Sequence, residues 1–243
     1  MKTIALIPAR YNSTRFPGKL MANLGGKTVI RRTYEQALNM NLFHSVYVIT
    51  DSEIIFDEIN SFGGHVIKSK GNYETGTDRI AEVAKDIDAD IFINIQGDEP
   101  FISSAPIHAV ISQFENSDVQ VCSLVQVLND INLINNPNYV KVVLDNHNNA
   151  LYFSRSPIPY LRDNYILKSF YEHIGVYAFR KEILMQFAEW EQSELEMAEK
   201  IEALRFLENG IRIKMLITEH KSIEIDTKED LDRAKEYLEK FIL

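Results

Sequence analysis

The sequence predicts an α/β protein built on a doubly wound, mostly parallel sheet, with a β-rich insertion in its second half. Three observations carry this. Short β-rich runs alternate with amphipathic segments of helical length through the first half, the pattern of successive βα units. The run Ile91-Phe92-Ile93-Asn94-Ile95 is apolar at nearly every position, as expected of a central strand covered on both faces. The first strand candidate leads at once into Pro8–Lys19, which holds Arg10, Arg15 and Lys19 and is punctuated by Pro8, Pro17 and Gly18. In open α/β sheets the crevice beyond the carboxyl ends of the strands is where ligands bind. A loop of cations and free main-chain N–H groups at that place suits a polyphosphate, although a solvated basic loop has the same composition.

The elements follow in order. Strands are expected at 3–7, 45–50, 64–67, 90–95 and 119–125, separated by helices near 28–40, 53–61, 77–87 and 103–114. In the last of these helices, Ile107, Val110, Ile111 and Phe114 recur at helical spacing; Ser103 or Ser104 can cap it and Pro106 is tolerated in the first turn. After residue 137 the texture changes. Tyr139–Asp145 and Ala150–Arg155 read as strands joined by a hairpin at 146–149, and 156–168 reads as a loop. Another strand is expected at Glu172–Phe179, then helices at 180–189 and 194–209, the latter stopped by Gly210. Strands at 211–217 and 223–225 precede a final helix capped by Thr227, with Leu231, Ala234, Leu238 and Phe241 on one face. No internal repeat, low-complexity tract or long linker interrupts the chain. One domain is therefore expected over 1–243, with the β-rich insertion packed on the same sheet.

Composition narrows the function. The chain has 243 residues, 45% hydrophobic and 25% charged, with a net charge of −9. An acidic balance argues against non-specific nucleic-acid binding. A single cysteine, Cys122, leaves neither a disulfide framework nor a cysteine zinc site. With no leader-like N-terminus and no apolar run of membrane-spanning length, a cytoplasmic protein is expected.

Further motifs stand beside the basic loop. Gln96-Gly97-Asp98-Glu99-Pro100 follows the central strand, where Asp98 can hold Mg²⁺ against phosphates or simply serve as a turn residue. Asp226 is either part of a helix start or a second carboxylate for the same ion. Glu74-Thr75-Gly76-Thr77-Asp78-Arg79 opens a helix, whose N-terminus offers N–H groups to an anion while Thr75 or Thr77 caps it. Two negatives also bear on function. Gly25-Gly26-Lys27-Thr28 mimics the end of a P-loop, but Met21 stands where glycine is required, so Lys27-Thr28 reads as a helix start. No Gly-x-Gly-x-x-Gly is present, which speaks against a nicotinamide dinucleotide site, and the six histidines form no ligand-spaced cluster.

These motifs, taken together, resemble the 3-deoxy-manno-octulosonate cytidylyltransferase (CMP-Kdo synthetase) family. The resemblance is carried by 7–19, 75–79, 96–100, Val140–Val143, Tyr152–Arg155, His173–Tyr177 and Asp226–Leu231, in order over essentially the whole chain. It implies a Rossmann-like nucleotidyltransferase fold. It also implies transfer of CMP from CTP to the anomeric hydroxyl of an acidic eight-carbon sugar, with release of pyrophosphate for lipopolysaccharide synthesis. By the same resemblance Arg10, Arg15, Lys19 and Asp98 act in the reaction, and Ala9, Arg10, Ser13, Lys19, Thr75, Gly76, Arg79 and Asp98 bind the nucleotide. Asp98 and Asp226 hold Mg²⁺. Arg155, His173, Tyr177 and Glu202 bind the sugar. The chain is expected to be a homodimer through 137–175.

Two departures concern the sugar end. Ala203 stands where the family has glutamine, and Lys221–Ile225 replaces a glycine-rich stretch. They leave open a modified acceptor, such as 8-amino-3,8-dideoxy-manno-octulosonate, or a sialic or nonulosonic acid. A non-catalytic nucleotide-binding protein would be expected to lack Asp98, Asp226 or the loop cations, and all are present.

Overall fold

The computed structural model describes residues 1–71, 73, 75–163, 169–220 and 223–241, and the chain divides into two compact units. Glu74 and parts of the 156–168 loop and of the 221–225 stretch therefore lie outside the described residues.

The first unit comprises 1–104 and 222–243. Its strands are β1 (Thr3–Ala9), the short pair β2 (Asn23–Leu24) and β3 (Lys27–Thr28), β4 (Ser45–Thr50), β5 (Val66–Lys68) and β6 (Ile91–Asn94). Helices α1 (Val29–Asn39), α2 (Glu53–Ser61) and α3 (Gly76–Ala84) connect them. The sheet order is β6-β1-β4-β5, parallel throughout. Ile4, Ala5, Leu6 and Ile7 of β1 are buried, as are all four residues of β6, so both strands are covered on both faces. Because the strands are parallel, Ala9 lies beside Thr50 and Leu6 beside Asn94, and the segments leaving β1, β4 and β6 emerge at one edge.

The helix starts obey local chemistry. The Thr28, Ser52 and Thr75 hydroxyls accept main-chain N–H bonds from Arg31, Ile55 and Asp78. Gly25 and Gly26 have φ of 58° and 82° and turn the β2–β3 hairpin, which suits two residues with φ > 0 and not a phosphate loop.

The second unit, 105–221, starts with the remainder of α4 (Ser104–Ser112). It contains β7 (Val121–Leu128), the short α5 (Ile131–Ile134), β8 (Lys141–Leu144), β9 (Ala150–Ser154) and β10 (Phe170–Arg180), followed by α6 (Lys181–Glu189), α7 (Glu194–Glu199), α8 (Ala203–Glu208) and β11 (Ile213–Thr218). β11 runs parallel to β7, β7 antiparallel to β10, and β8 antiparallel to both β10 and β9. The β7–β10 register shifts between Ile174 and Tyr177, and buried Ser123 fills that irregularity by donating to the Val176 carbonyl at 2.7 Å. The chain closes in the first unit with α9 (Lys228–Phe241), whose Asp230 N–H donates to Thr227 Oγ1 at 3.2 Å.

Three sequence expectations are corrected. The single helix at 194–209 is two helices, because Lys200 adopts a left-handed conformation (φ 54°) and ends α7. Arg205 of α8 reaches back across the break to Glu196 of α7, so ion pairing rather than helical continuity joins them. The segment at 223–225 is not a strand; its described hydrogen bond is one from Ile225 N–H to the Asp98 carbonyl, 3.0 Å long. Phe241 is exposed in the last turn of α9, where its ring lies tilted against Tyr237 with centroids 5.0 Å apart instead of joining Leu231, Ala234 and Leu238 in the core.

Candidate active site

Within the first unit, the shared edge of β1 and β6 holds a cavity of about 200 Å³. Ala9, Arg10, Ser13, Arg15, Lys19, Thr75, Gly76, Arg79, Asp98 and Asp226 all line it. These residues come from separate stretches of chain and converge because the parallel strands bring their carboxyl ends together.

Local geometry explains how each stretch is held. The 10–19 loop closes on itself where the Gly18 N–H donates to the Tyr11 carbonyl at 3.1 Å, and Gly18 supplies the φ of 72° that the turn requires. Lys19 then begins a 3₁₀ turn whose Leu20 is buried. Gly97 is needed for close approach, since a Cβ there would stand 3.1 Å from Ile30 Cδ1 and 3.2 Å from the Pro8 carbonyl. Its carbonyl accepts from the buried Thr33 hydroxyl at 2.9 Å. Asp226 is fixed between the Ile225–Asp98 bond and Asp230, whose carboxylate accepts from the Asp226 and Thr227 N–H groups at 3.1 and 2.8 Å.

Charge is concentrated here. The Lys19 ammonium donates to Asp98 and, at 2.7 Å, to Asp226; Arg15 also pairs with Asp226, at 2.6 Å. Burial lowers the Lys19 pKa, but the charges and hydrogen bonds of Asp98 and Asp226 outweigh it and raise the group above 10.5. Arg10 is exposed and forms no ion pair among the described residues. Arg79 differs from the other cations: it is buried, with Nη1 on Ser69 Oγ at 2.6 Å and Nη2 on Asp51 at 3.0 Å. It therefore anchors α3 to the segments following β4 and β5 and presents little free charge to the cavity.

Glu224 was not singled out from sequence. One carboxylate oxygen from each of Asp98, Glu224 and Asp226 falls within 4.8 Å of the others. Removal from water and the negative charges of Asp98, Asp226 and Glu99 push the Glu224 carboxyl well above the ordinary range, with Lys19 opposing. Because the residue as a whole is exposed, the neighbouring carboxylates are the firmer cause. Only the i, i+2 spacing from Asp226 in an extended segment could have pointed to it. A set of hard carboxylate oxygens backed by cations fits Mg²⁺, which takes one or two carboxylates with phosphate oxygens and water. Tyr73 also lines the cavity and carries no motif that would have identified it.

The sugar candidates lie in the second unit. Arg155 places three of its five N–H donors on the main-chain carbonyls of Glu199, Pro137 and Lys200, at 2.6, 2.9 and 3.3 Å. His173 sits between the Phe153 and Tyr177 rings, with Nε2 3.1 Å from Ser123 Oγ. Burial lowers its pKa to about 3, so near neutrality it offers a hydrogen bond and no charge. Burial and the negative charge of Glu202 raise the Tyr177 hydroxyl well above 10. Ala203 is buried at the start of α8 beside Glu202.

The His173 environment makes stability depend on pH. Its folded pKa lies below the unfolded value of 6.5, so its stabilising contribution is complete above pH 6.5 and is lost as pH falls toward 3. In that window it should cost about 1.4 kcal/mol per pH unit. His173→Gln should flatten the acid limb of a denaturation-versus-pH series by about that slope; an unchanged slope would show that another group governs acid unfolding.

Residues 4–215 match the family described as "Cytidylyltransferase". The chain is 53% identical over 241 residues to 3-deoxy-manno-octulosonate cytidylyltransferase of Flavobacterium johnsoniae, covering 98% of this chain and 99% of that one. It is 52% identical to the protein of the same name in Christiangramia forsetii, covering 98% and 97%. The structure superposes on CMP:2-keto-3-deoxy-manno-octonic acid synthetase complexed with CTP with a TM-score of 0.92, at 34% identity and 99% coverage of both chains. A 4-diphosphocytidyl-2C-methyl-D-erythritol synthase from Anaerococcus prevotii shares the fold alone, with a TM-score of 0.65 at 19% identity and coverage of 98% and 99%.

Proposed function

Because this chain belongs to the 3-deoxy-manno-octulosonate cytidylyltransferase family, we propose that it transfers CMP from CTP to the anomeric C2 hydroxyl of 3-deoxy-manno-octulosonate (Kdo) and releases pyrophosphate. The observation that carries the reading is the meeting, in one cavity, of the 10–19 cation loop with Asp98 and Asp226. Phosphoryl transfer of this kind depends on positioning and charge neutralisation more than on covalent help.

The residues divide the work. Arg10, unpaired among the described residues, and Arg15 and Lys19, which can exchange their carboxylate partners for phosphates, hold the triphosphate. Ala9, Ser13, Thr75 and Gly76 surround the nucleoside with main-chain and hydroxyl groups, and Arg79 keeps the start of α3 in place. Asp98 and Asp226 would hold Mg²⁺, which when bound screens phosphate charge and lowers the pKa of a bound hydroxyl. His173, Tyr177 and Glu202 offer hydrogen bonds to sugar hydroxyls, and Arg155 has N–H donors left for a carboxylate. We assign the product to lipopolysaccharide synthesis in the cytoplasm and the working form to a homodimer. No helix among the described residues is long and apolar enough to cross a membrane.

Ala203 favours a second reading, in which the acceptor is 8-amino-3,8-dideoxy-manno-octulosonate and Glu202 pairs with its ammonium. A missing amide in a polar pocket can change discrimination by orders of magnitude. Pyrophosphate release with CTP, Mg²⁺ and, in turn, Kdo, its 8-amino analogue and N-acetylneuraminate separates the readings. Kdo is expected to turn over best. Preference for the amino sugar would select the second reading, and silence with all three would remove both.

A further inference from the structure

His173 is half-buried between the Phe153 and Tyr177 rings, and its Nε2 is turned inward to the fully buried Ser123 hydroxyl, 3.1 Å away. A serine hydroxyl has one hydrogen and can donate it once. Two main-chain carbonyls compete for it, that of Val176 at 2.7 Å and that of Ile174 at 3.3 Å. Both reach the same hydroxyl because the β7–β10 register shifts between Ile174 and Tyr177. The Val176 distance is the ordinary length of an O–H···O bond. Were the hydrogen turned to Nε2 instead, the hydroxyl lone pairs would face the Val176 oxygen at 2.7 Å, an acceptor against an acceptor where water is excluded. The hydrogen therefore goes to the strand, and toward His173 the Ser123 oxygen can only accept.

This places the proton of the ring. A neutral imidazole carries one N–H, and here it has to be the Nε2–H that donates to Ser123. Nδ1 is then the bare nitrogen, an acceptor. No described residue bonds to Nδ1, and it is not among the buried polar atoms left without a partner, so it reaches solvent. Turning the ring over would set a C–H against Ser123, so the hydroxyl fixes the orientation of the ring as well as its tautomer. Resting on the reading of His173 as a sugar contact, we propose that Ser123 is a positioning residue for the acceptor sugar: it holds His173 as the Nε2–H tautomer, so that Nδ1 accepts a hydrogen bond from a sugar hydroxyl. The sugar candidates then offer both polarities, since a guanidinium such as Arg155 has donors only and suits the carboxylate. An ionised carboxylate has no hydrogen to give Nδ1, so this contact selects a hydroxyl.

Nitrogen NMR of the full chain, labelled at histidine, reads the tautomer directly; the His173 signals are those missing from His173→Gln. Near neutral pH the unaltered protein should show Nε2 protonated and Nδ1 bare, and saturating Kdo should shift Nδ1 more than Nε2. A protonated Nδ1, or an Nδ1 signal that ignores Kdo, overturns the assignment, and this holds even if no variant folds. In Ser123→Ala the ring should lose its single tautomer. The KM for Kdo should rise about 5- to 10-fold, the scale of one oriented neutral hydrogen bond, with the KM for CTP unchanged. Ser123→Thr keeps the hydroxyl and should keep both the tautomer and the Kdo KM. An equal rise in both KM values would mark a serine that only supports the fold, and a changed tautomer with an unchanged Kdo KM would mark a nitrogen that no sugar touches; either overturns the proposal. Failure of the unaltered protein to turn over Kdo with CTP and Mg²⁺ refutes instead the reading of the sugar site, and this inference falls with it.

Discussion

Asparagine in place of Asp98 is expected to slow CMP transfer by about a thousandfold, the scale of removing a charge-stabilising group from a transition state. The local charge balance explains the size. Lys19 is held by both Asp98 and Asp226, and Arg15 by Asp226 alone. Removing the Asp98 charge leaves two cations facing Asp226, so the position suited to a divalent cation becomes less negative and is contested by Lys19. The variant should demand much more Mg²⁺ at half-saturation while the protein stays folded, because Asp98 is partly solvated and its main-chain carbonyl still anchors Ile225. Initial rates of pyrophosphate release across a Mg²⁺ series test this. A loss below tenfold with an unchanged Mg²⁺ requirement would remove Asp98 from the proposed metal site.

Glu196→Ala is expected to destabilise the protein by about 3–5 kcal/mol, the cost of leaving one member of a buried ion pair without its partner. Arg205 Nε and Nη2 each meet a different Glu196 oxygen at 2.7 Å, and both side chains are almost fully buried. The guanidinium also stacks on Phe187 at 3.9 Å and reaches the carbonyls of Phe187 and Trp190, both at 3.4 Å. These contacts cannot neutralise it. A fall in melting temperature of about 10 °C or more is the scale for a chain of this size. Pairing the change with Arg205→Met should restore much of the loss, since the uncompensated charge goes with the arginine. A single variant that melts within a degree or two of the parent would mean that water reaches the site and solvates Arg205.

The two results test different levels of the sequence reading. Asp98 stood out because it follows the most apolar strand directly, where an α/β sheet presents ligand-binding groups. Glu196 and Arg205 carried no such mark. They fell inside one expected helix, and an i, i+9 spacing does not place two residues on a helix face. Their pairing depends on Lys200 leaving the helix through φ 54°, which the local sequence does not announce. Arg79 shows the same limit on the other side: its motif pointed to the nucleotide, yet the guanidinium turns inward to Asp51 and Ser69, partners set by the packing of α3. Glu224 and Asn94 were ordinary within their motifs. One became notable through a cluster of carboxylates and the other through its lack of partners among the described residues, properties that exist only when distant segments meet.

By itself the sequence determined the βα alternation, the helix starts at Lys27-Thr28 and in the Thr75–Thr77 segment, the hairpin at 146–149, the cation loop, the carboxylates and the family. These follow from periodicity, turn chemistry and motifs, which act over a few residues. The tertiary structure decided which cations face the cavity and which are spent on the scaffold. It also decided where a helix breaks, which carboxylates come within reach of one another, and which buried polar groups go unsatisfied among the described residues. Those outcomes depend on desolvation and on charges brought together from segments more than a hundred residues apart, such as Lys19 and Asp226, and no local pattern records them.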